Sequence, residues 1–250
     1  MFDGIRFSEP YIYRTDEAKK LLQGLCDEVQ HRPDLARLGV DPNEPRRSRI
    51  TGKLQEHVWD FLPLAIPGSK VDAGTRPHLS VDLSVDGASA YFTVPNAFRR
   101  QFVRALKEME LEGYVETVTR CADKLNLVVR RSPEASPIVR VLQRHYIGRS
   151  NPVVDGQLVA DLRTAAGSES GDLTNPTVKP NYEWIRASYH LMLATDANLQ
   201  FSIGVGFPYA CETVQSAAVT DLFAETWISL TELILPLLAT GEAGQGSQRS

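Results

Sequence analysis

Residues 78–94 read HLSVDLSVDGASAYFTV, and this stretch decides the fold class. Its first half alternates apolar and polar side chains with the period of two that is typical of a strand with one buried face. Asp86-Gly87 is a turn dipeptide, because glycine tolerates the positive φ that tight hairpin turns require. The following residues supply a returning strand, which Pro95 ends. The stretch therefore predicts an antiparallel hairpin.

A helix is expected directly after this hairpin, from a good capping residue, Asn96, to a position before Gly113. The same order of elements recurs towards the C-terminus. We predict a strand at 184–194, a turn at Asp196, a return strand at 199–205 and a helical stretch from 212 to 238. This is the pattern of an internal ββα duplication, with pseudo-repeats at 76–113 and 183–240. Two unrelated hairpins with common Asp-initiated turns would leave the same pattern.

The remaining segments complete an α+β protein. Apolar spacing and stop signals predict helices at 16–30, 49–62, 137–145 and 156–166, and a further hairpin at 114–121 and 125–130. The expected fold is an antiparallel sheet of about six strands in three hairpins, covered by helices. We expect an N-terminal helical segment at 1–75, an α+β core at 76–240 and a disordered tail at 241–250.

Composition narrows the class of protein. A chain of 250 residues with 42% hydrophobic and 23% charged residues is typical of a globular protein with a sizeable core. It opens without the basic and apolar segments of a secretory signal, and its most apolar stretch, 227–238, is too short to span a bilayer. Its three cysteines have no metal-ligand spacing. We therefore expect a cytoplasmic protein with no metal, no cofactor and no membrane partner.

Charge is unevenly distributed along the chain. Residues 96–150 carry 11 basic and 6 acidic side chains, whereas 151–250 carry 4 and 11. The basic middle predicts a surface that follows nucleic-acid phosphates. A solvated helix face, or a surface that docks on the acidic C-terminal part, is the alternative. The candidate nucleic-acid-binding residues are Arg100, Arg104, Lys107, Arg130, Arg131, Arg140 and Arg144.

Two histidines provide the catalytic hypothesis. His78 and His190 each fall in the first strand of a predicted hairpin, so that a duplicated fold would turn them towards one cleft as an acid and base acting on a phosphodiester. That layout resembles the two-histidine phosphoesterase family, whose hallmark is a histidine, any residue, and then Ser or Thr, once in each half. His78-Leu79-Ser80 matches it, with Ser80 as the orienting hydroxyl. In the second half Met192 stands where the family has a hydroxyl.

The alternative is that both histidines have no catalytic role and lie at sheet edges or on an exposed face. No phosphate-binding glycine loop, serine nucleophile elbow or zinc-protease motif is present in the sequence. The apolar C-terminal helix is either the central core helix or an oligomer interface. We therefore predict a non-catalytic binding or assembly subunit of a cytoplasmic multi-protein system, with a protein partner or a second copy of itself. Nucleic acid is an additional candidate partner, and phosphoesterase chemistry is the alternative function.

Overall fold

The computed structural model describes residues 4–5, 15–45, 51–53, 57–66, 75–132, 134–147, 151–164, 181–194 and 198–239. Its helices are α1 (Thr15–Gln30), α2 (Pro33–Ala36), α3 (Arg99–Val129), α4 (Asn181–Ala194), α5 (Val219–Ile228) and α6 (Thr231–Ala239). Its strands are β1 (Thr51–Lys53), β2 (His57–Pro63), β3 (His78–Ser84), β4 (Gly87–Val94), β5 (Ser136–Ile147), β6 (Asn151–Asp161) and β7 (Asn198–Pro208). The predicted tail at 241–250 lies outside these ranges.

The strands form one sheet in the order β1-β2-β3-β4-β7-β5-β6, and each neighbouring pair is antiparallel. The predicted α+β class with an antiparallel sheet is confirmed. Three pairs, β1–β2, β3–β4 and β5–β6, are hairpins of consecutive strands. β7 joins the sheet alone, between β4 and β5, and it connects the first half of the sheet to the second.

The two faces of the sheet differ in chemistry. Leu79, Val81 and Leu83 of β3 are fully buried in the main core, on the face that α1, α3 and α5 cover. The intervening side chains point to the opposite face, which we call the polar face. Tyr91 and Phe61 are buried there without belonging to the main core. The polar face carries His57, Trp59, Phe61, His78, Ser80, Asp82, Ser89, Tyr91, Thr93, Ser136, Arg140, Ser202, Gly204 and Gly206.

The hairpin predicted at 78–94 is confirmed as β3 and β4, but Gly87 is not required for the turn conformation that was predicted. Gly87 does not adopt a positive φ. A Cβ atom there would lie 2.2 Å from the carbonyl oxygen of Phe207, so glycine is required for the close approach of β7. The Ser84 hydroxyl closes the turn, since it accepts hydrogen bonds from the backbone N–H groups of Asp86 and Gly87.

The helix predicted at 16–30 is also confirmed, as α1. Its apolar stripe, which includes Leu22, Leu25 and Val29, is fully buried. The helix predicted at 49–62 is wrong. Residues 49–62 contain β1 and β2, because Val58 and Leu62 alternate with polar-face residues, and β2 pairs with β3. Residues before 75 therefore contribute strands to the common sheet.

Three further predictions were wrong for one physical reason: the spacing of the apolar residues fits both a helix and a strand. Residues 114–129 of the predicted hairpin at 114–130 belong to α3, where Tyr114, Val118, Cys121 and Leu125 form one buried helical stripe. Residues 137–145, predicted as a helix, lie in β5, and residues 156–161 of the helix predicted at 156–166 lie in β6, so the two segments pair as a hairpin instead. Residues 162–164 form one 3-10 turn, and 165–166 lie outside the described residues. Short apolar runs fit both periods, and packing against β7 decides between them.

The predicted duplication is not confirmed. Residues 184–194, expected to form a strand, lie in α4, where Ile185, Ser188, Tyr189 and Met192 are buried at helical spacing. The second unit is therefore helix, strand and helix, with β7 as its only strand. A hairpin can repeat only if both of its strands are present, so the two units differ in architecture.

The C-terminal apolar stretch is divided between α5 and α6, which meet at a bend of 58°. Trp227, Leu230 and Leu233 around the bend are fully buried, as expected of a core element. Among the described helices, none alone has the length and apolar character to cross a membrane, although α5 and α6 taken together have them.

Candidate functional site

His78 of β3 has a buried side chain that contacts neighbouring residues of the fold. Its side chain is 5% exposed, and its ring centroid lies 4.4 Å from that of Phe61. Its Nδ1 atom lies 2.8 Å from the backbone carbonyl oxygen of Arg76, which fits donation from an N–H at that position. These contacts hold the imidazole against the neighbouring strand.

His190 is far from this position in the fold. It lies on α4, which packs against α3 on the helix-covered side of the sheet, and its side chain is exposed. The sheet therefore stands between His78 and His190. The predicted acid–base pair does not form, because 184–194 is a helix and not the first strand of a second hairpin.

Ser80 also takes part in a different network from the one expected. Its hydroxyl donates to Thr93 Oγ1 at 2.9 Å, and Thr93 Oγ1 lies 3.2 Å from Ser202 Oγ. The three buried hydroxyls run across β3, β4 and β7 on the polar face. They satisfy one another, which is what buried polar groups require.

The six candidate nucleic-acid-binding residues whose side chains are described lie on different parts of the fold. Arg100, Arg104 and Lys107 lie near the start of α3, which is 31 residues long and is kinked at Glu110. Arg130 and Arg131 follow its other end. Arg140 lies in β5, on the polar face of the sheet. Arg144 is in β5, and its side chain lies outside the described part.

Part of the basic middle docks on the acidic C-terminal part, as the alternative proposed. Arg131 forms an ion pair with Glu225 of α5. Arg120 and Lys124 of α3 both bind Glu232 of α6, and these cations hold the pKa of that carboxyl below its usual value. The opposite charges of the two regions thus stabilise the packing of helices within this chain.

The most unusual geometry is at the centre of the polar face. Tyr91 of β4 lies over β7 at two positions that have no side chain, Gly204 and Gly206. A Cβ atom at position 204 would lie 2.8 Å from Tyr91 Cδ1 and 2.0 Å from the carbonyl oxygen of Ala90. Gly204 is therefore required by the packing of Tyr91. The Tyr91 hydroxyl is directed towards Gly206.

Arg140 reaches the same place from β5. Its guanidinium carbon lies 5.1 Å from the centroid of the Tyr91 ring, a cation–π distance. Its Nε is buried without a hydrogen-bond partner, and in the part of the chain that the structure describes no carboxylate forms a salt bridge with it. Arg140 is therefore a half-buried positive charge that stacks on an aromatic ring and forms no salt bridge with a described carboxylate.

Asp82 supplies a carboxyl on the other side of Tyr91. It lies opposite Trp59 and Ser89 in the register of the sheet. Burial raises the pKa of Asp82, while His57 and Arg140 act in the opposite direction. Burial also raises the pKa of Tyr91, against an opposing effect of Arg140 and Ser89. These groups are close enough to influence one another electrostatically.

A phenol lies at the edge of this group. Tyr209 donates from its hydroxyl to the backbone carbonyl of Ser84 at 2.7 Å. Burial first, and then the negative charges of Asp82 and Asp86, raise its pKa. Tyr209 therefore stays neutral at physiological pH and acts as a hydrogen-bond donor that fixes the end of β3.

Of Asp82, Tyr91 and Arg140, only Arg140 was predicted from the sequence to be a functional residue, and it was predicted to bind nucleic acid. Two signals were available. The alternation of β3 already placed Asp82 on the polar side of the strand, and the spacing of Gly204 and Gly206 by two residues places both on one face of a strand. Neither signal indicates that Tyr91 and Arg140 meet there, because they come from strands that are far apart in sequence.

The described residues contain no group of three His, Cys, Asp or Glu side chains placed to hold a metal ion. No protein-family model matches the chain, and no curated protein matches it. The polar face of the sheet, around Asp82, Tyr91 and Arg140, is the candidate functional site.

Proposed function

We propose that this chain is a non-catalytic binding subunit of a cytoplasmic assembly, and that the polar face of its sheet binds an anionic group of a ligand. The single observation that carries the proposal is the state of Arg140. A positive charge that is partly removed from water is costly unless it is paired. The stacking on Tyr91 fixes its position but leaves its charge available for a carboxylate or phosphate.

The surroundings of Arg140 support recognition. Tyr91 is held by Gly204, and the hydroxyl network of Thr93 and Ser202 is satisfied within the sheet. A site built on paired strands holds its groups with little freedom, which favours specific binding. The three cysteines are buried free thiols, which is consistent with the reducing cytoplasm.

Anion binding can be tested with the full chain. We expect sodium phosphate or sodium acetate to raise the melting temperature relative to sodium chloride at equal ionic strength, because a ligand that binds only the folded state stabilises it. Arg140→Met should abolish the increase. Arg100→Met, a matched change of an exposed arginine on α3, should keep it. If neither anion stabilises the protein, or if both variants respond alike, the proposal is wrong.

The assembly part is tested separately. Large apolar side chains are exposed on three helices, at Leu127, Trp184 and Leu235, and these support contact with another protein. We expect light scattering over a dilution series to give a mass above that of one chain. A monomer at every concentration, with no co-purifying protein, would restrict the function to ligand binding.

Nucleic acid has less support as a partner. Ion pairing already engages Arg131, and the remaining basic residues lie on separate parts of the fold. We expect weak or absent retention of nucleic acid in a filter-binding assay. Tight binding that falls steeply with salt would reverse this expectation.

A further inference from the structure

Arg140 has a hydroxyl group as its direct neighbour in the sheet. Arg140 of β5 pairs in register with Ser202 of β7, and Ser202 pairs in turn with Thr93 of β4. Directly opposed residues of an antiparallel pair have Cβ atoms about 4.5–5.5 Å apart. The guanidinium carbon of Arg140 lies 5.1 Å from the centroid of the Tyr91 ring on β4. Because β7 separates β5 from β4, the arginine side chain crosses the strand that carries Ser202.

Ser202 ends a row of three buried hydroxyls, Ser80, Thr93 and Ser202, which we call the hydroxyl chain. These residues are 8%, 3% and 1% exposed. Ser80 donates to Thr93 at 2.9 Å, and the Thr93 and Ser202 oxygens lie 3.2 Å apart, so each oxygen has a partner. Each hydroxyl also carries one proton, and three protons serve only these two hydrogen bonds. Among the residues that the structure describes, no acceptor takes the third proton.

The third proton belongs beside Arg140. Since Ser80 donates to Thr93, a chain in which each hydroxyl accepts one bond and donates one passes from Thr93 to Ser202 and ends on the Ser202 proton. Hydrogen bonds aligned in this way strengthen one another. Arg140 cannot accept that proton, because a guanidinium only donates, and its own Nε is buried without a partner. Two donors therefore meet where the sheet passes from β7 to β5, and both lack an acceptor.

We propose that Ser202 and Arg140 together bind a carboxylate, with one oxygen accepting from the Ser202 hydroxyl and the other from the guanidinium. This inference rests on the proposed function, and it names a second group that holds the anion and the class of the anion. A carboxylate has two acceptor oxygens and no proton to donate, so it complements two neighbouring donors. Ser202 is almost fully buried and Arg140 is partly exposed, so the anion enters from the side of Arg140.

Charge favours a carboxylate over a dianion such as sulfate or a phosphate monoester. Arg140 supplies one positive charge, and its register neighbours, Val159 on β6 and Ser202 on β7, are uncharged. A bound carboxylate is neutralised by this single charge. A dianion would keep an unpaired negative charge in a partly buried place, which is costly.

A nuclear magnetic resonance titration of the full, ¹⁵N-labelled chain tests the proposal. The Nε–H signal of Arg140, identified by its loss in Arg140→Met, is followed while sodium acetate replaces sodium chloride at constant ionic strength. We expect this signal to shift and then saturate. Ser202→Ala should raise the acetate concentration at half-saturation by about tenfold or more, because a hydrogen bond to a charged group is lost. Sulfate should require a higher concentration than acetate.

Ser188→Ala is the matched control. Ser188 is a fully buried serine of α4, on the helix-covered side of the sheet, and its hydroxyl oxygen lies 2.9 Å from Tyr114 Oη. Its replacement should lower the melting temperature, because a buried hydrogen bond is lost, and leave the acetate titration unchanged. The control thus separates the loss of a buried hydroxyl from the loss of a ligand contact.

The outcomes distinguish the two proposals. If acetate shifts the Arg140 signal but Ser202→Ala titrates like the wild type, the role of Ser202 is wrong and anion binding at Arg140 stands. If sulfate saturates the signal at a lower concentration than acetate, the assignment of a carboxylate is wrong. If neither anion shifts the signal, both proposals are wrong.

Discussion

The ring of Tyr91 packs directly on Gly204, so closely that a Cβ atom at position 204 would fall 2.8 Å from Tyr91 Cδ1 and 2.0 Å from the carbonyl oxygen of Ala90. Gly204→Ala should therefore destabilise the protein by about 1–3 kcal/mol, because neither the ring nor the backbone can move freely. Gly206→Ala should be neutral or stabilise by about 0.5–1 kcal/mol, since the added methyl group meets only ordinary contacts.

The two glycine variants control each other in one urea-unfolding experiment. They lie two residues apart in the same strand and receive the same methyl group. Equal free energies of unfolding would contradict the assignment of Gly204, and not Gly206, to close packing.

The contact between Arg140 and Tyr91 is expected to contribute a measurable coupling. A double-mutant cycle with Arg140→Met and Tyr91→Leu should give an interaction free energy of about 0.5–1 kcal/mol. Tyr91→Phe keeps the ring and should retain the coupling. A coupling near zero, or one that disappears in Tyr91→Phe, would mean that the ring face does not hold the guanidinium.

Glu110 is a strained residue within α3. Its φ of 60° and ψ of 170° belong to a region that is populated almost only by glycine. Glu110→Gly should relieve strain of about 1–3 kcal/mol, reduced by about 0.4–1 kcal/mol for the added freedom of the unfolded chain. The free energy of unfolding should thus rise.

Glu108→Gly provides the comparison for this change. Glu108 is exposed in the regular part of α3, two residues earlier, where glycine should destabilise by about 1 kcal/mol. Opposite signs are expected for the two substitutions. If Glu110→Gly destabilises as much as Glu108→Gly, the backbone at 110 is not strained.

Asp82 should make stability depend on pH in an unusual direction. Burial raises its pKa, against the opposing influence of His57 and Arg140. A carboxyl with a higher pKa in the folded chain binds more protons when folded, so its contribution to stability falls as pH rises above the unfolded value. Asp82→Asn should therefore melt at a higher temperature than the wild type near about pH 7, and the difference should shrink towards about pH 3.

The same melting series with Asp123→Asn measures the effect of removing an exposed carboxyl on α3. It should change the melting temperature little at either pH. A lower melting temperature for Asp82→Asn at neutral pH would show that the charged carboxylate stabilises the folded chain and would contradict this prediction.

Local sequence determined the elements that carry an unambiguous period. Leu79, Val81 and Leu83 alternate without exception, and the turn at Asp86-Gly87 fixes their partner strand, so β3 and β4 were predicted correctly. The buried stripe of α1 is equally clear. In both cases short-range patterning and the final packing require the same conformation.

Only the tertiary structure decided the segments whose apolar residues fit two periods, and it alone assembled the site. Ile138, Val139 and Val141 form a strand because their backbone pairs with the edge of β7. Residues 184–194 form a helix because their apolar side chains pack against α3. The sequence by itself determined that Asp82 is on a polar strand face and that position 204 has no side chain. The contact of Arg140 with Tyr91 depends on β7 inserting between β4 and β5, and that pairing is set by long-range burial rather than by any local pattern.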